Sequence, residues 1–162
     1  DQCLGIVMLA EVDNFHVVHF FRFFHPVRQF IHCNNLRRAY ETALNYARQP
    51  EGWLLFRGGY GCGKTFTAAN LAISLAREVN NTVLLVDLDS QGNVADSLGM
   101  QAGNDLYQLL FPGAEVSLSG ATTPSGRGQL DVVRSDKSTV QLKAALAGDG
   151  LAGFRLQMAL SG

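Results

Sequence analysis

The residues of this chain with the clearest chemical potential lie in a glycine-rich segment. Gly58, Gly63, Lys64 and Thr65 match the pattern G-x-x-x-x-G-K-[ST], which is typical of a phosphate-binding loop. Glycines let consecutive backbone N–H groups point at one phosphate, because they adopt backbone angles that other residues avoid. In such a loop the lysine reaches the β- and γ-phosphates, and the threonine hydroxyl holds Mg²⁺. The segment therefore predicts a nucleotide site. Its predicted binding residues are Gly58, Gly59, Gly61, Cys62, Gly63, Lys64, Thr65 and Phe66.

Two aspartates follow an apolar run further along the chain. Residues 83–88 read V-L-L-V-D-L, with apolar residues on both faces, as in a buried parallel strand. Asp87 and Asp89 lie at the carboxyl end of this predicted strand, where open α/β sheets bind ligands, and strand alternation places both on one side. We predict Thr65, Asp87 and Asp89 as Mg²⁺ ligands, and Lys64 and Asp89 as catalytic residues. The alternative is a carboxylate that only caps the following segment.

The elements that must position these residues can be located from apolar patterns and helix caps. Strands are predicted at about 53–57, 83–88 and 130–133, with a further strand before residue 33. Helices are predicted at 35–49, directly after Thr65, and at 105–110, 139–147 and 154–160. The phosphate-binding loop then connects a strand to a helix, as it must. We predict a doubly wound, mostly parallel α/β P-loop sheet over residues 34–162, incomplete on its C-terminal side, after a segment 1–33 of unclear role.

Composition predicts one globular domain. The chain has 162 residues, of which 47% are hydrophobic and 17% charged, so it is large enough for a core and too apolar for disorder. A formal net charge of −1 gives no overall attraction to nucleic acid. The three cysteines form no C-x-x-C pair, and an odd count argues against a disulfide framework. Together with a nucleotide site, this predicts a reducing cytoplasm. No apolar run is long enough for a membrane span.

The N-terminal segment contains the four histidines of the chain, which raises the alternative of a metal site. Zinc sites usually have tight paired spacings, and only His16-x-x-His19 offers one. We favour partly buried or surface histidines within a segment of strands and turns.

Two stretches beyond the loop lysine carry a family signature. They read T-F-T-A-A-N-L-A-I-S-L-A-R-E and V-L-L-V-D-L-D-S-Q-G-N-V-A-D-S-L-G. Over about residues 64–146 the chain resembles the ParA/MinD/Soj family of partition ATPases, whose second acidic motif the latter stretch matches. The resemblance implies binding of ATP and Mg²⁺, and hydrolysis that acts as a switch in DNA, plasmid or chromosome partitioning. It also implies DNA and a ParB-like protein as partners, through parts that lie beyond this region.

The loop departs from that family at two positions. Partition ATPases usually carry K-G-G-x-G-K-T, in which the first lysine reaches the nucleotide of a partner subunit. Here Gly59 takes the place of that lysine, and Tyr60 takes the place of the next glycine. Both departures argue against an ATP-sandwiched homodimer. The family also carries a Mg²⁺-site aspartate on a later strand, which lies beside the strand that precedes the loop. We expect that later strand to be missing from this sequence. The strand of Leu54 and Phe56 should then lack a neighbour, and turnover should be absent.

Other hypotheses remain from the same residues. Residues 35–65 resemble the entry to the nucleotide domain of helicase-loader AAA+ ATPases, which gives a loader-type module as the second hypothesis. Leu88 argues against it, because those enzymes typically place glutamate directly after the Mg²⁺-binding aspartate. A non-catalytic nucleotide-binding module is the third hypothesis. A GTPase is less favoured, because no N-K-x-D motif is present.

Overall fold

The computed structural model describes residues 3–11, 29–32, 52–58, 61–77, 81–147, 149 and 152–161. Its strands are β1 (Cys3–Glu11), β2 (Gln29–His32), β3 (Gly52–Gly58), β4 (Asn81–Asp87), β5 (Thr123–Pro124) and β6 (Leu130–Val133). Its α-helices are α1 (Lys64–Arg77), α2 (Asn93–Ser97), α3 (Asp105–Leu110), α4 (Ser138–Ala147) and α5 (Ala152–Ser161), and a 3₁₀ turn spans Ser119–Ala121. The helix predicted at 35–49 lies outside the described residues, as do His16, His19 and His25.

These strands form a single sheet in the order β2-β3-β1-β4-β6-β5. Every neighbouring pair is parallel except β5 with β6, which is antiparallel. The α/β, mostly parallel architecture predicted from the sequence is therefore confirmed. The strands predicted at 53–57, 83–88 and 130–133 are β3, β4 and β6, while α2 and the short β5 were not predicted.

Helices cover both faces of the sheet. The alternating side chains of β4 show this arrangement, because Val83 and Leu85 pack in one apolar cluster with α1 and α2, whereas Leu84 and Val86 pack in another with α3, α4 and α5. All four side chains are buried. A strand buried on both faces must be apolar at consecutive positions, which explains the run V-L-L-V.

The helix α1 approaches the sheet through small residues. Ala68, Ala72 and Ala76 are buried together with Leu71 and Leu75, at the three- and four-residue spacing of a helix face. These positions pack against β3 and β4 in one cluster. The burial fixes the amino end of α1, and with it the loop that precedes the helix, at the carboxyl edge of the sheet.

The neighbours of β3 correct one expectation from the sequence. We expected the strand that carries Leu54 and Phe56 to lack a neighbour. That expectation is wrong, because β3 pairs with β2 on one side and with β1 on the other. Register partners run along β1 from Gly5 with Gly52 to Glu11 with Gly58. Pattern analysis could not find this pairing, since an apolar run gives no information about which strand it will join.

Candidate nucleotide site

The phosphate-binding loop passes directly from β3 into α1. Gly61 and Gly63 have φ angles of 73° and 86°, in the left-handed region that glycine adopts without a steric cost. The first hydrogen bond of the helix runs from the Thr67 N–H to the Gly63 carbonyl, at 2.9 Å. The amino end of α1, with the positive end of its dipole, therefore begins where the loop ends, which is the arrangement that binds a phosphate.

The loop lysine is paired with the second aspartate. The Lys64 Nζ lies 3.6 Å from the Asp89 Oδ2, and the two side chains are 6% and 9% exposed. The other oxygen of Asp89 accepts a hydrogen bond from the Gln91 N–H at 3.0 Å. The structure thus brings together the two residues that the sequence predicts as catalytic. Both are largely shielded from water, so each side chain neutralises the charge of the other.

The first aspartate is held by backbone donors. Asp87 is fully buried. Its Oδ1 accepts from the Asp89 N–H at 3.0 Å, and its Oδ2 accepts from the Val94 N–H at 3.3 Å. Burial raises the pKa of Asp87 to about 6, against the lowering effect of these hydrogen bonds. Asp87 therefore joins the end of β4 to the first turn of α2, which is the capping role that we weighed as an alternative.

Between the two aspartates and α2 the chain turns sharply, and Gly92 makes this turn possible. Gly92 has a φ of 64°, and its N–H donates to the Asp89 carbonyl at 3.1 Å. A Cβ at this position would lie 2.5 Å from the Ser135 carbonyl oxygen. The positive φ of Gly92 and the nearby Ser135 backbone both disfavour a residue with a side chain at this position. This explains the glycine in the sequence Q-G-N.

Ser135 is a site residue that sequence analysis missed. It follows β6 and is 1% exposed. Its Oγ donates to the Asp89 carbonyl at 2.6 Å. One feature of the sequence could have identified Ser135, namely its position just after the third predicted strand. The carboxyl ends of parallel strands meet at one edge of the sheet, so a residue there lies near the site.

The remaining predicted site residues have different surroundings. Thr65 is half-buried in the first turn of α1, Cys62 is a half-buried free thiol, and Phe66 is 70% exposed. Gly61 is exposed, and Gly58 ends β3. Gly59 and Tyr60 lie outside the described residues.

The oxygen donors of this site fit Mg²⁺ bound together with a nucleotide. Mg²⁺ usually takes one or two carboxylates, several waters and substrate phosphates instead of an all-protein cage. Thr65, Asp87 and Asp89 offer only such a partial set. Accordingly, no group of three His, Cys, Asp or Glu side chains suited to a metal exists within the ranges that the structure covers. We expect a metal here only when phosphate oxygens complete its coordination.

The buried carboxyl of Asp87 predicts a pH dependence of stability. Its pKa of about 6 in the folded chain lies above the ordinary 3.8, so the folded state binds more protons between these values. The contribution of Asp87 to the free energy of unfolding should therefore fall as pH rises from about 4 to about 6, and stay constant above that. Urea unfolding of the metal-free parent chain and of Asp87→Asn at several pH values measures this contribution. It is the difference in the free energy of unfolding between the two proteins at each pH. A difference that does not change with pH would contradict the raised pKa.

Comparison with known proteins finds one matching family model and several similar proteins. Residues 56–161 match the model of a family described as an AAA domain. The chromosome-partitioning ATPase Soj of Thermus thermophilus is 56% identical over 50 residues, or 31% of this chain and 20% of that protein. The chromosome partitioning protein ParA of Caulobacter vibrioides is 34% identical over 103 residues, or 62% of this chain and 38% of that protein. The sporulation initiation inhibitor protein Soj of Bacillus subtilis is 38% identical over 89 residues, or 52% of this chain and 32% of that protein.

These matches cover only part of each relative. The chain spans 20–38% of the length of the three proteins. No solved structure matches the chain significantly. None of the helices in the described ranges has both the length and the apolar character that crossing a membrane requires.

Proposed function

The chain belongs to the AAA-domain family and is similar to the ParA and Soj partition ATPases, and from this premise we propose that it binds ATP with Mg²⁺ and hydrolyses it as a switch in DNA partitioning. The observation that carries the proposal is the Lys64–Asp89 pair, which lies 3.6 Å apart beside the amino end of α1. A lysine held in this position meets a phosphate as soon as one enters the loop.

Each residue has a separate part in this proposal. Lys64 exchanges its contact with Asp89 for the β- and γ-phosphates. Asp89 is then released to orient the attacking water or a water bound to the metal. Thr65 offers its hydroxyl to Mg²⁺, which neutralises charge on the phosphates when it is bound. Asp87 and Ser135 hold the backbone of Asp89 in place, so that its carboxylate stays at the edge of the sheet.

The partners and compartment follow from the same similarity. We propose DNA and a ParB-like protein as partners, and the cytoplasm as the compartment. Gly59 and Tyr60 still argue against a nucleotide-sandwiched homodimer, because they replace the lysine and the glycine that such a dimer uses in the family that the chain resembles.

The proposal is tested on the purified chain with a fluorescent ATP analogue and Mg²⁺. We expect unlabelled ATP to displace the analogue and AMP to fail, because the loop binds the β- and γ-phosphates that AMP lacks. The sequence led us to expect no turnover because β3 would lack a neighbour, but β3 is paired on both sides, so we now expect detectable phosphate release. Phosphate release should fall more steeply in Asp89→Ala than ATP affinity does, since Asp89 acts mainly in the transition state.

The exposed Asp96 in α2 offers a matched control, and Asp96→Ala should change neither quantity. Equal displacement by ATP and AMP would contradict the nucleotide site. Absence of phosphate release from the parent chain would contradict hydrolysis by this chain.

A further inference from the structure

We propose that the aromatic ring of Phe66 stacks on the base of the bound nucleotide, so that the site recognises a nucleoside triphosphate by the face of its base. The inference rests on the proposed function and deepens it. The sequence predicts Phe66 as a binding residue from its place directly after Thr65, but it assigns no role to the ring.

The first step is the exposure of the ring. Phe66 is 70% exposed, more than any other large apolar residue in the ranges that the structure describes. The remaining large apolar side chains of α1 pack against the core cluster on its buried face; they are Leu71, Ile73 and Leu75. The packing of the helix therefore gives no reason for a phenylalanine at position 66.

The second step is the place of Phe66 in the helix. The first hydrogen bond of α1 runs from the Thr67 N–H to the Gly63 carbonyl, at 2.9 Å. The N–H of Phe66 precedes that bond, so it belongs to the groups at a helix start that have no acceptor within the helix and that bind an anion. The backbone of Phe66 therefore lies beside the phosphates of a nucleotide held in the loop.

The third step is the direction of the side chain. Each Cα–Cβ bond of an α-helix tilts toward the amino end, so a side chain covers the turn that precedes its own Cα. Since α1 begins at Lys64, the turn that precedes Phe66 is the phosphate-binding loop itself. The ring of Phe66 is thus directed toward the mouth of the nucleotide site and away from the body of the helix.

The fourth step concerns the two sides of the loop. Successive residues of a helix are rotated by about 100°, so Lys64 and Phe66 point to nearly opposite sides of α1. Lys64 is 6% exposed and pairs with Asp89, so its side is the buried one, where the β- and γ-phosphates bind in our proposal. The ribose and the base then leave the loop on the side open to solvent, which is the side of Phe66.

The fifth step is chemical. Every nucleobase has an aromatic face, and replacing an aromatic residue that stacks on a base with alanine lowers affinity by about five- to a hundredfold. Stacking also removes apolar surface of the exposed ring from water. Because the contact uses the face of the base and not its hydrogen-bonding edge, it favours a nucleotide over a free polyphosphate without selecting one base.

The test compares a nucleotide with its phosphates alone. Isothermal titration calorimetry measures binding of ATP and of inorganic tripolyphosphate, both with Mg²⁺, to the parent chain and to Phe66→Ala. We expect Phe66→Ala to weaken ATP binding by about five- to a hundredfold and to leave tripolyphosphate binding unchanged. GTP should lose affinity by a similar factor, since its base offers the same kind of face.

Met158 provides the matched control. It is 69% exposed and lies in α5, which packs on the other face of the sheet, so Met158→Ala should bind both ligands like the parent. Circular dichroism of each variant shows whether the fold is kept.

A second variant reports on stacking directly. Phe66→Trp keeps a ring that can stack, so it should keep the ATP affinity of the parent. The fluorescence of the new tryptophan should be quenched by ATP and not by tripolyphosphate. The same titrations of the parent chain give the background from Trp53.

The outcomes separate the two proposals. A parent chain that binds neither ATP nor tripolyphosphate overturns the proposed function and this inference with it. A parent chain that binds both, with unchanged ATP affinity in folded Phe66→Ala, overturns the role of Phe66 alone. Equal losses for ATP and tripolyphosphate also overturn that role, since they indicate a change in the loop. A loss for ATP without one for GTP overturns it as well, because it indicates recognition of the edge of the base.

Discussion

Replacing Lys64 with alanine should weaken binding of a fluorescent ATP analogue by about ten- to a hundredfold, because charge-assisted hydrogen bonds contribute about 1.5–3 kcal/mol each. Lys64 is 6% exposed and begins α1, so its side chain already lies at the end of the helix that would face the phosphates. The substitution also leaves Asp89 without its partner, 3.6 Å away in the structure. Like-charge repulsion between Asp89 and the phosphates then adds to the loss.

Titration of the analogue into Lys64→Ala and into the parent chain measures this effect. Lys137, an exposed lysine just before α4, offers the control, and Lys137→Ala should bind like the parent. Thermal unfolding of each variant shows whether the fold is kept. An unchanged dissociation constant in folded Lys64→Ala would contradict the phosphate-binding role of the loop.

Replacing Asp105 with alanine should lower the free energy of unfolding by about 2 kcal/mol, because hydrogen bonds to charged groups contribute about 1.5–3 kcal/mol and the pair with Arg134 is only partly buried. Asp105 begins α3 and holds Arg134, which follows β6. The Arg134 Nε and Nη2 donate to the two Asp105 oxygens at 2.6 and 3.0 Å, and the Arg134 backbone N–H donates at 3.1 Å. These bonds raise the pKa of Arg134 above its ordinary value. Without Asp105 the guanidinium remains charged and partly buried, with the Gln101 carbonyl, at 3.0 Å, as its other described partner.

Urea unfolding of Asp105→Ala against the parent chain measures this loss. Asp96→Ala is the control, because Asp96 is exposed and such surface changes usually stay within about 0.5 kcal/mol. Adding Arg134→Ala to Asp105→Ala should restore part of the stability, since no uncompensated charge then remains. A loss in Asp105→Ala no larger than that of the control would show that the pair does not stabilise the fold.

Local signals predicted the phosphate-binding segment and much of its framework. The run V-L-L-V predicted a strand buried on both faces, and β4 is such a strand. The pattern G-x-x-x-x-G-K-[ST] predicted a loop between a strand and a helix, and β3 and α1 flank it. The helix predicted at 105–110 is α3 at the same residues. These features depend on residues that are close together in the chain, so the pattern of residue types in a short segment is enough to predict them.

Other features could not be predicted, because they depend on residues that are distant in the chain. The pairing of Lys64 with Asp89 and the contact of Ser135 with Asp89 arise only when β3, β4 and β6 end at a common edge. The sequence predicts Asp87 as a metal ligand, with capping as the alternative, and the structure shows the hydrogen bonds of the capping role. Whether Asp87 also contacts a metal remains a prediction.

The sequence by itself determined the chemistry of the loop, the acidic pair and the family of the chain, because each depends on residue types at fixed short spacings. Only the tertiary structure decided that β1 lies between β3 and β4, which places the carboxyl end of β1 beside the start of the loop. The physical reason is that backbone hydrogen bonds between strands are the same for any sequence, so an apolar run such as Leu4–Ala10 specifies a strand but not its neighbours. Those neighbours are chosen by how the whole sheet and its helices bury apolar surface together.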